Sequence, residues 1–390
     1  MRNGKPGRRD VLKAMGGSIT VTALAGCSGG GEDGDGGGSD GSSDGGSSPA
    51  PTEGGSEPAK PEKIVVRAWG GSWQESLKEH ISDPFTEETG VAVEHTTTED
   101  IVVQNKIQQS VKQDRAPPVN VQWSTTNLSF RAFKRGLMAS LNPDIVSNLD
   151  GLFDQAKPDT GEESDVEWPF ASLYSYTEPL TWNTDLVDSA PDSWEAWWDD
   201  EWGDSLGIYG RGTGTLPIVA TLTGTEITED SDFSAVWEKY RDLEPNIGLV
   251  GDDTNLTQGV REGDLSMVCM VVANTVNIQR EDAPVEYKIP DPGAAMNRDA
   301  MYTPKGQSES ELYWSQKYIN KAAGTAQGEW AEQLGVTPLN ENVSVPDYMK
   351  DNPAFPTTEK DFEKLILVPP RIEVARASEW EQKFKEIFGT

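Results

Sequence analysis

From Lys63 onward the chain alternates between two hydrophobic rhythms. Compact runs rich in β-branched residues predict strands at Ile64-Val65-Val66-Arg67-Ala68-Trp69, Val91-Ala92-Val93-Glu94 and Val119-Asn120-Val121-Gln122-Trp123. Between them, apolar positions recur at helical spacing. Trp73, Leu77 and Ile81 share one face of a helix that Ser72 can cap, with Glu75 as capping-box partner. Ile101 to Val111 predicts a further helix. Strand, helix and strand in succession make a βαβ unit. At the far end, Trp380, Phe384, Ile387 and Phe388 fall at i, i+4, i+7 and i+8 and predict a helix packed on the body. Trp194, Trp197, Trp198 and Trp202 also have helical spacing and read as core or hinge packing. The alternation as a whole predicts an α/β fold.

The head of the chain follows neither rhythm. Residues 1–16 are basic and polar, and Ser18 to Gly26 are small and apolar. That run is far shorter than the roughly 20 residues needed to span a bilayer, so residues 1–26 read as an export signal. Gly7-Arg8-Arg9-Asp10-Val11-Leu12-Lys13 resembles a twin-arginine signal, and Leu24-Ala25-Gly26-Cys27 resembles a lipobox. The expectation is a lipid anchor at Cys27, holding the protein on the extracellular face of the cell membrane. Residues 28–62 hold twelve glycines and eight acids with almost nothing apolar, so 27–62 reads as a disordered tether.

Charge narrows the choice of function. Five of the 33 bases and one of the 65 acids lie within the first 26 residues, leaving 28 bases against 64 acids and a formal charge of −36. Such a chain repels a phosphate backbone, which excludes general nucleic-acid binding. Acids spread along the whole length suit a halophile, since screening shrinks to about 3 Å at 1 M salt. Of the two cysteines, Cys269 lies in an apolar run and reads as a small core residue. His80 and His95 have no ligand-spaced partner, and no metal or cofactor site is expected. No catalytic nucleophile or zinc-hydrolase motif appears. A secreted carbohydrate-active enzyme stays as an alternative, because a carboxylate pair would be invisible among so many acids.

The opening Val65-Val66-Arg67-Ala68-Trp69-Gly70-Gly71-Ser72-Trp73, with Phe85-Thr86-Glu87-Glu88-Thr89-Gly90-Val91-Ala92-Val93, resembles ABC-transporter extracellular solute-binding proteins of the spermidine/putrescine type. Thr181-Trp182-Asn183-Thr184-Asp185 resembles that family's Y-N-T-D segment, and Pro191-Asp192-Ser193-Trp194-Glu195-Ala196-Trp197-Trp198 its P-x-S-W-x-x-L-W helix. Glu262-Gly263-Asp264-Leu265-Ser266-Met267 and Pro290-Asp291-Pro292-Gly293 resemble two further landmarks, all in the family's order. The resemblance implies a two-lobe, periplasmic-binding-protein-like type II fold with ligand in the cleft between lobes. It implies a monomer that hands a small solute to permease and ATPase subunits on separate chains. Receptors that feed a sensor share that fold. Lobe one is expected over 63–176 and 272–305, and lobe two over 177–271 and 306–390 with the C-terminal helices. Leu173 to Trp182 would be the outward crossover and Val271 to Val276 the return.

In open α/β sheets, ligands sit beyond the carboxyl ends of the strands, against helix N-termini. Three stretches meet that rule. Trp69-Gly70-Gly71-Ser72 offers a ring and close backbone approach, or else a core tryptophan and a tight turn. Ser124 and Thr125 open a hydroxyl-rich turn, or else a helix cap without ligand. Arg211, Gly212 and Thr213 form an anion seat, or else a plain surface loop. Tyr174 and Trp182 lie on the crossover beside the cleft. Against the family's polyamine-binding pattern, Arg211 and Thr213 replace acids, Asn274 lies on the return segment, and Arg298 stands near an expected aromatic. These departures favour an anionic or zwitterionic solute such as a carboxylate or phosphonate, with Arg211 as anchor and Trp69, Ser72 and Ser124 completing the cage. A polyamine is the alternative.

Overall fold

The computed structural model describes residues 57–160, 166–212, 214–363 and 365–389. The export signal, Cys27 and the tether as far as Ser56 lie outside the described residues, as does Thr213. In chain order, β1 (Lys63–Arg67) leads through α1 (Ser72–Leu77) and a π-helical turn into α2 (Asp83–Thr89), then β2 (Ala92–Thr96), α3 (Asp100–Lys112), β3 (Val121–Thr125), α4 (Thr126–Lys134) and β4 (Met138–Ala139). Next come β5 (Ala171–Glu178), β6 (Leu180–Asn183), β7 (Leu206–Tyr209), α5 (Thr215–Leu222), α6 (Ser234–Leu243), β8 (Ile247–Gly251), α7 (Asp253–Glu262), β9 (Met267–Cys269), α8 (Val272–Gln279) and β10 (Val285–Lys288). The chain closes with β11 (Ala294–Pro304), α9 (Glu309–Ala323), α10 (Gln327–Leu334), β12 (Thr337–Pro338), α11 (Glu359–Phe362), β13 (Leu365–Ile366) and α12 (Pro370–Phe388).

The strands form two sheets, one per lobe. The larger runs β12-β5-β11-β3-β1-β2, with β13 and β4 also pairing β11; the smaller runs β10-β6-β9-β7-β8. β1 pairs in parallel with both β2 and β3, so the predicted βαβ unit is present, while β11 runs antiparallel to β3 and β5. In the smaller sheet β7 is parallel to β8 and β9, and β6 is antiparallel to β9 and β10. Each sheet buries its own core. Trp123, Tyr174, Tyr318 and Trp330 centre the larger one, and Trp194, Trp197, Tyr240 and Phe384 the smaller. Cys269 is a buried free thiol in the smaller core.

Four sequence expectations need correction. The capping box at Ser72 does not form: Gly71 is the cap residue, at φ +61°, and Ser72 is the first helical residue. The stretch 271–276 is not a return strand but the start of helix α8; the chain recrosses between β10 and β11. Nor do residues 306–334 join the smaller lobe, because Trp314, Tyr318, Ile319 and Trp330 of α9 and α10 pack into the larger core. From the C-terminal part of the chain the smaller core receives Val368 and then α12, through Ile372, Trp380 and Phe384. Finally, residues 57–60, expected in the tether, are part of the folded body. The Ser310 hydroxyl donates to the Ala59 carbonyl, Trp314 Nε1 to the Pro58 carbonyl, and the Tyr313 hydroxyl to Glu57, so residues 57–60 lie against α9.

Candidate functional site

A cavity of about 830 Å³ lies where strands of both sheets end. Trp69 and Gly70 follow β1, and Thr125 closes β3. From the smaller sheet, Asp253 follows β8, and Val271 and Asn274 follow β9. These are carboxyl ends of parallel strands, as the general rule for open sheets requires. The larger sheet adds Tyr176 on β5 and Asp299 on β11, and helix α7 adds Glu262 and Arg261, the latter ion-paired with Glu281.

Asp299 is the best-held group in the cavity. Its Oδ2 accepts from the Tyr174 hydroxyl at 2.6 Å and from Trp69 Nε1 at 3.1 Å. Tyr176 approaches Oδ1 at only 3.4 Å, so that oxygen keeps hydrogen-bonding capacity toward the cavity. Burial pushes the Asp299 carboxyl up to about 7, against the pull of Tyr174, Trp69 and the nearby Arg67 guanidinium. Arg67 is buried as well, 3.8 Å from Asp100, and Asp100 also accepts from Ser124 and Gln104. One guanidinium thus faces two buried carboxyls. The smaller lobe supplies a second pole. Asp253 Oδ1 accepts from the Tyr209 hydroxyl and from Asn274 Nδ2, while Tyr209 also accepts the Val271 N–H.

A second cavity, of about 370 Å³, adjoins the first; Thr125 and Tyr176 line both. Gly212, Gly214, Arg298 and Glu373 border it. Arg298 and Asp299 are neighbours on a strand, so their side chains leave opposite faces. Arg298 donates to the Gln155 carbonyl, lies near Glu373 and is 5 % exposed. Burial lowers its guanidinium to about 10, and burial raises the Glu373 carboxyl to about 7. Behind this cavity Glu178, the last residue of β5, is bonded by Asn297 and raised to about 8 by burial, then by Asp253 and Glu373.

Among the residues singled out from sequence, Trp69, Gly70, Thr125 and Asn274 line the larger cavity. Arg298 and Gly212 line the smaller one. Tyr174 and Ser124 are buried behind the wall and act on it through Asp299 and Asp100. Gly71 and Ser72 lie exposed at the start of α1, outside both linings. Trp182 is not brought to the cleft: it is buried in the smaller core. The Arg211 side chain lies outside the described residues. Sequence reasoning missed Asp299, Asp253, Tyr176 and Trp73; the signal for Asp253 was its place just after the apolar run Ile247-Gly248-Leu249-Val250, which was not read as a strand. Among the described residues no cluster of His, Cys, Asp and Glu could hold a metal ion, and no helix is long and apolar enough to cross a membrane.

Residues 80–357 match the family model described as bacterial extracellular solute-binding protein. No curated protein matches the chain. A putative extracellular solute-binding protein from Bordetella parapertussis superposes with a TM-score of 0.69 at 18% identity, covering 83% of this chain and 98% of that one. The spermidine/putrescine ABC transporter substrate-binding protein PotD from Streptococcus pneumoniae gives 0.67 at 18% identity over 84% and 100%. The binding protein AgtB from A. tumefaciens R10, in complex with agropinic acid, gives 0.63 at 16% identity over 84% and 99%. These likenesses confirm the two-lobe fold. With the family model matching well over half its length, this chain belongs to the bacterial extracellular solute-binding proteins.

Proposed function

We propose that the protein is the substrate-binding component of an ABC importer and that its solute carries protonated amines. It would capture that solute between the lobes and present it to permease and ATPase subunits on other chains. Closure is then a population shift, driven by contacts the solute makes with both lobes at once.

One observation carries the amine: the larger cavity presents a carboxylate from each lobe, Asp299 and Asp253, and each is oriented by donors on one oxygen. Trp69, Trp73 and Tyr176 add aromatic surface beside them. Asp299 is a buried carboxylate whose desolvation the nearby Arg67 offsets only in part, and a bound ammonium would lower that cost further. The anionic solute favoured by sequence loses a main support, since Arg298 lies on the smaller cavity beside Glu373. The polyamine alternative moves forward. We also retain the lipid anchor at Cys27, twin-arginine export and a monomeric state as part of this reading.

The test is a thermal-shift panel on the full chain in molar salt, setting diamines and spermidine beside carboxylates, amino acids and phosphonates. At 100 times Kd a ligand adds about 2.7 kcal/mol of stability. Amines are expected to raise Tm, and Asp299→Asn to raise their Kd at least about thirty-fold, the lower bound for losing one partner of a buried charged contact. A shift with anions alone would refute the amine.

A further inference from the structure

Arg67 ends β1 and is 3 % exposed. Its Nη1 donates to the Trp123 carbonyl at 2.8 Å and its Nε to the Thr98 carbonyl at 3.2 Å, which fixes the guanidinium plane. The guanidinium carbon lies 3.7 Å from the centre of the Trp69 ring. One face of that indole is therefore covered by a cation from inside the lobe, while its N–H is spent on Asp299. The charged and titratable groups facing Arg67 are Asp100, Asp299, Tyr174 and Tyr302. Those facing Asp299 are Tyr174, Tyr176, Arg67 and Asp100. Arg67 is the one cation in this set.

We propose that Arg67 is a positioning residue of the cleft: from beneath, it fixes the Trp69 indole as a wall of the larger cavity and supplies a positive charge that favours the Asp299 anion. A lysine at this position would keep the charge but lose the planar stack and the fork of donors. A methionine would keep bulk and lose both. The consequence for solute capture rests on the amine reading above. The effect on Trp69 and Asp299 does not, so the test begins with empty protein.

In nitrogen-15 spectra of the full chain, the Trp69 indole N–H reports on the carboxylate it donates to, and Trp69→Phe identifies its signal by deletion. The wild-type signal is expected to titrate near pH 7. Arg67→Met should move the midpoint up by about one pH unit, and Arg67→Lys should leave it close to wild type. An unmoved midpoint in Arg67→Met overturns the proposal. Should that variant fail to fold, Arg67→Met with Asp100→Asn removes the two opposed charges together. Its midpoint should still rise, because Arg67 acts on Asp299 more strongly than Asp100 does. Amine binding then gives a second readout. In the methionine variant the pH profile should move up by the same amount and recover affinity above the new midpoint, whereas an equal loss at every pH would mark Arg67 as merely structural and overturn the proposal. Absence of amine binding in wild type refutes the amine reading and leaves the spectral test intact.

Discussion

Asp299 and Glu178 are carboxyls buried to 4 % and 1 % exposure, held near 7 and 8 by that burial. In the unfolded chain both titrate near their ordinary values of 3.8 and 4.5. Between those limits the folded protein holds protons that the unfolded chain has released. Stability therefore falls as pH rises through this window and is greatest below it. The empty protein should show a higher Tm at pH 6 than at pH 8.5, by calorimetry at fixed molar salt, and a Tm that rises with pH over that range would contradict the burial of these groups. On the proposed amine reading, bound amine would act in the opposite sense, because ionised Asp299 would be the form that receives it. The stabilisation it adds should therefore be larger at pH 8.5 than at pH 6.

At the scale of elements, the βαβ opening and the C-terminal helix were legible because long amphipathic periods survive in any context. The return crossing was not. Val271-Val272-Ala273-Asn274-Thr275-Val276 is a short apolar run, and periodicity alone does not separate a buried strand from a buried helix. The strand-end rule found Trp69, Gly70 and Thr125, because a glycine pair or a hydroxyl cluster after an apolar run marks a turn. Asp299 escaped it by lying within a strand, β11, and by being one acid among 65. Arg67 escaped for a similar reason, since a lone base in a β-type run reads as an exposed alternation point. α12 is the element whose role is tested most simply. Phe384 is 1 % exposed, lies 5.5 Å from the Tyr240 ring, and closes over Gly212, where φ is +69° and a Cβ would come 2.9 Å from the Phe384 ring. Phe384→Ala should cost about 3–5 kcal/mol in denaturant unfolding. A loss under 1 kcal/mol would mean that α12 is not part of the smaller core.

For the whole molecule, the −36 charge of residues 27–390 is the governing quantity. Among the described residues, ion pairs such as Lys63 with Glu94 and Arg261 with Glu281 are largely exposed. Such pairs contribute about 0–1 kcal/mol each and do not offset general self-repulsion. Near-UV circular dichroism should therefore be retained in molar salt and lost in dilute buffer. A spectrum unchanged between the two would remove the halophile reading, leaving an acidic protein of ordinary salt tolerance.

The short contact of residues 57–60 with α9 has a mechanical side. Glu57, Pro58 and Ala59 are bonded to Tyr313, Trp314 and Ser310, and Trp314 is built into the larger core. Any pull along the chain from the N-terminal side is thus delivered to one lobe, through a helix seated in that lobe's interior. Residues 57–60 lie upstream of β5–β6 and β10–β11, two of the places where the backbone passes between the sheets. On the proposed anchored reading, tension from the N-terminal side would therefore bear on the larger lobe beside, rather than across, those two crossings.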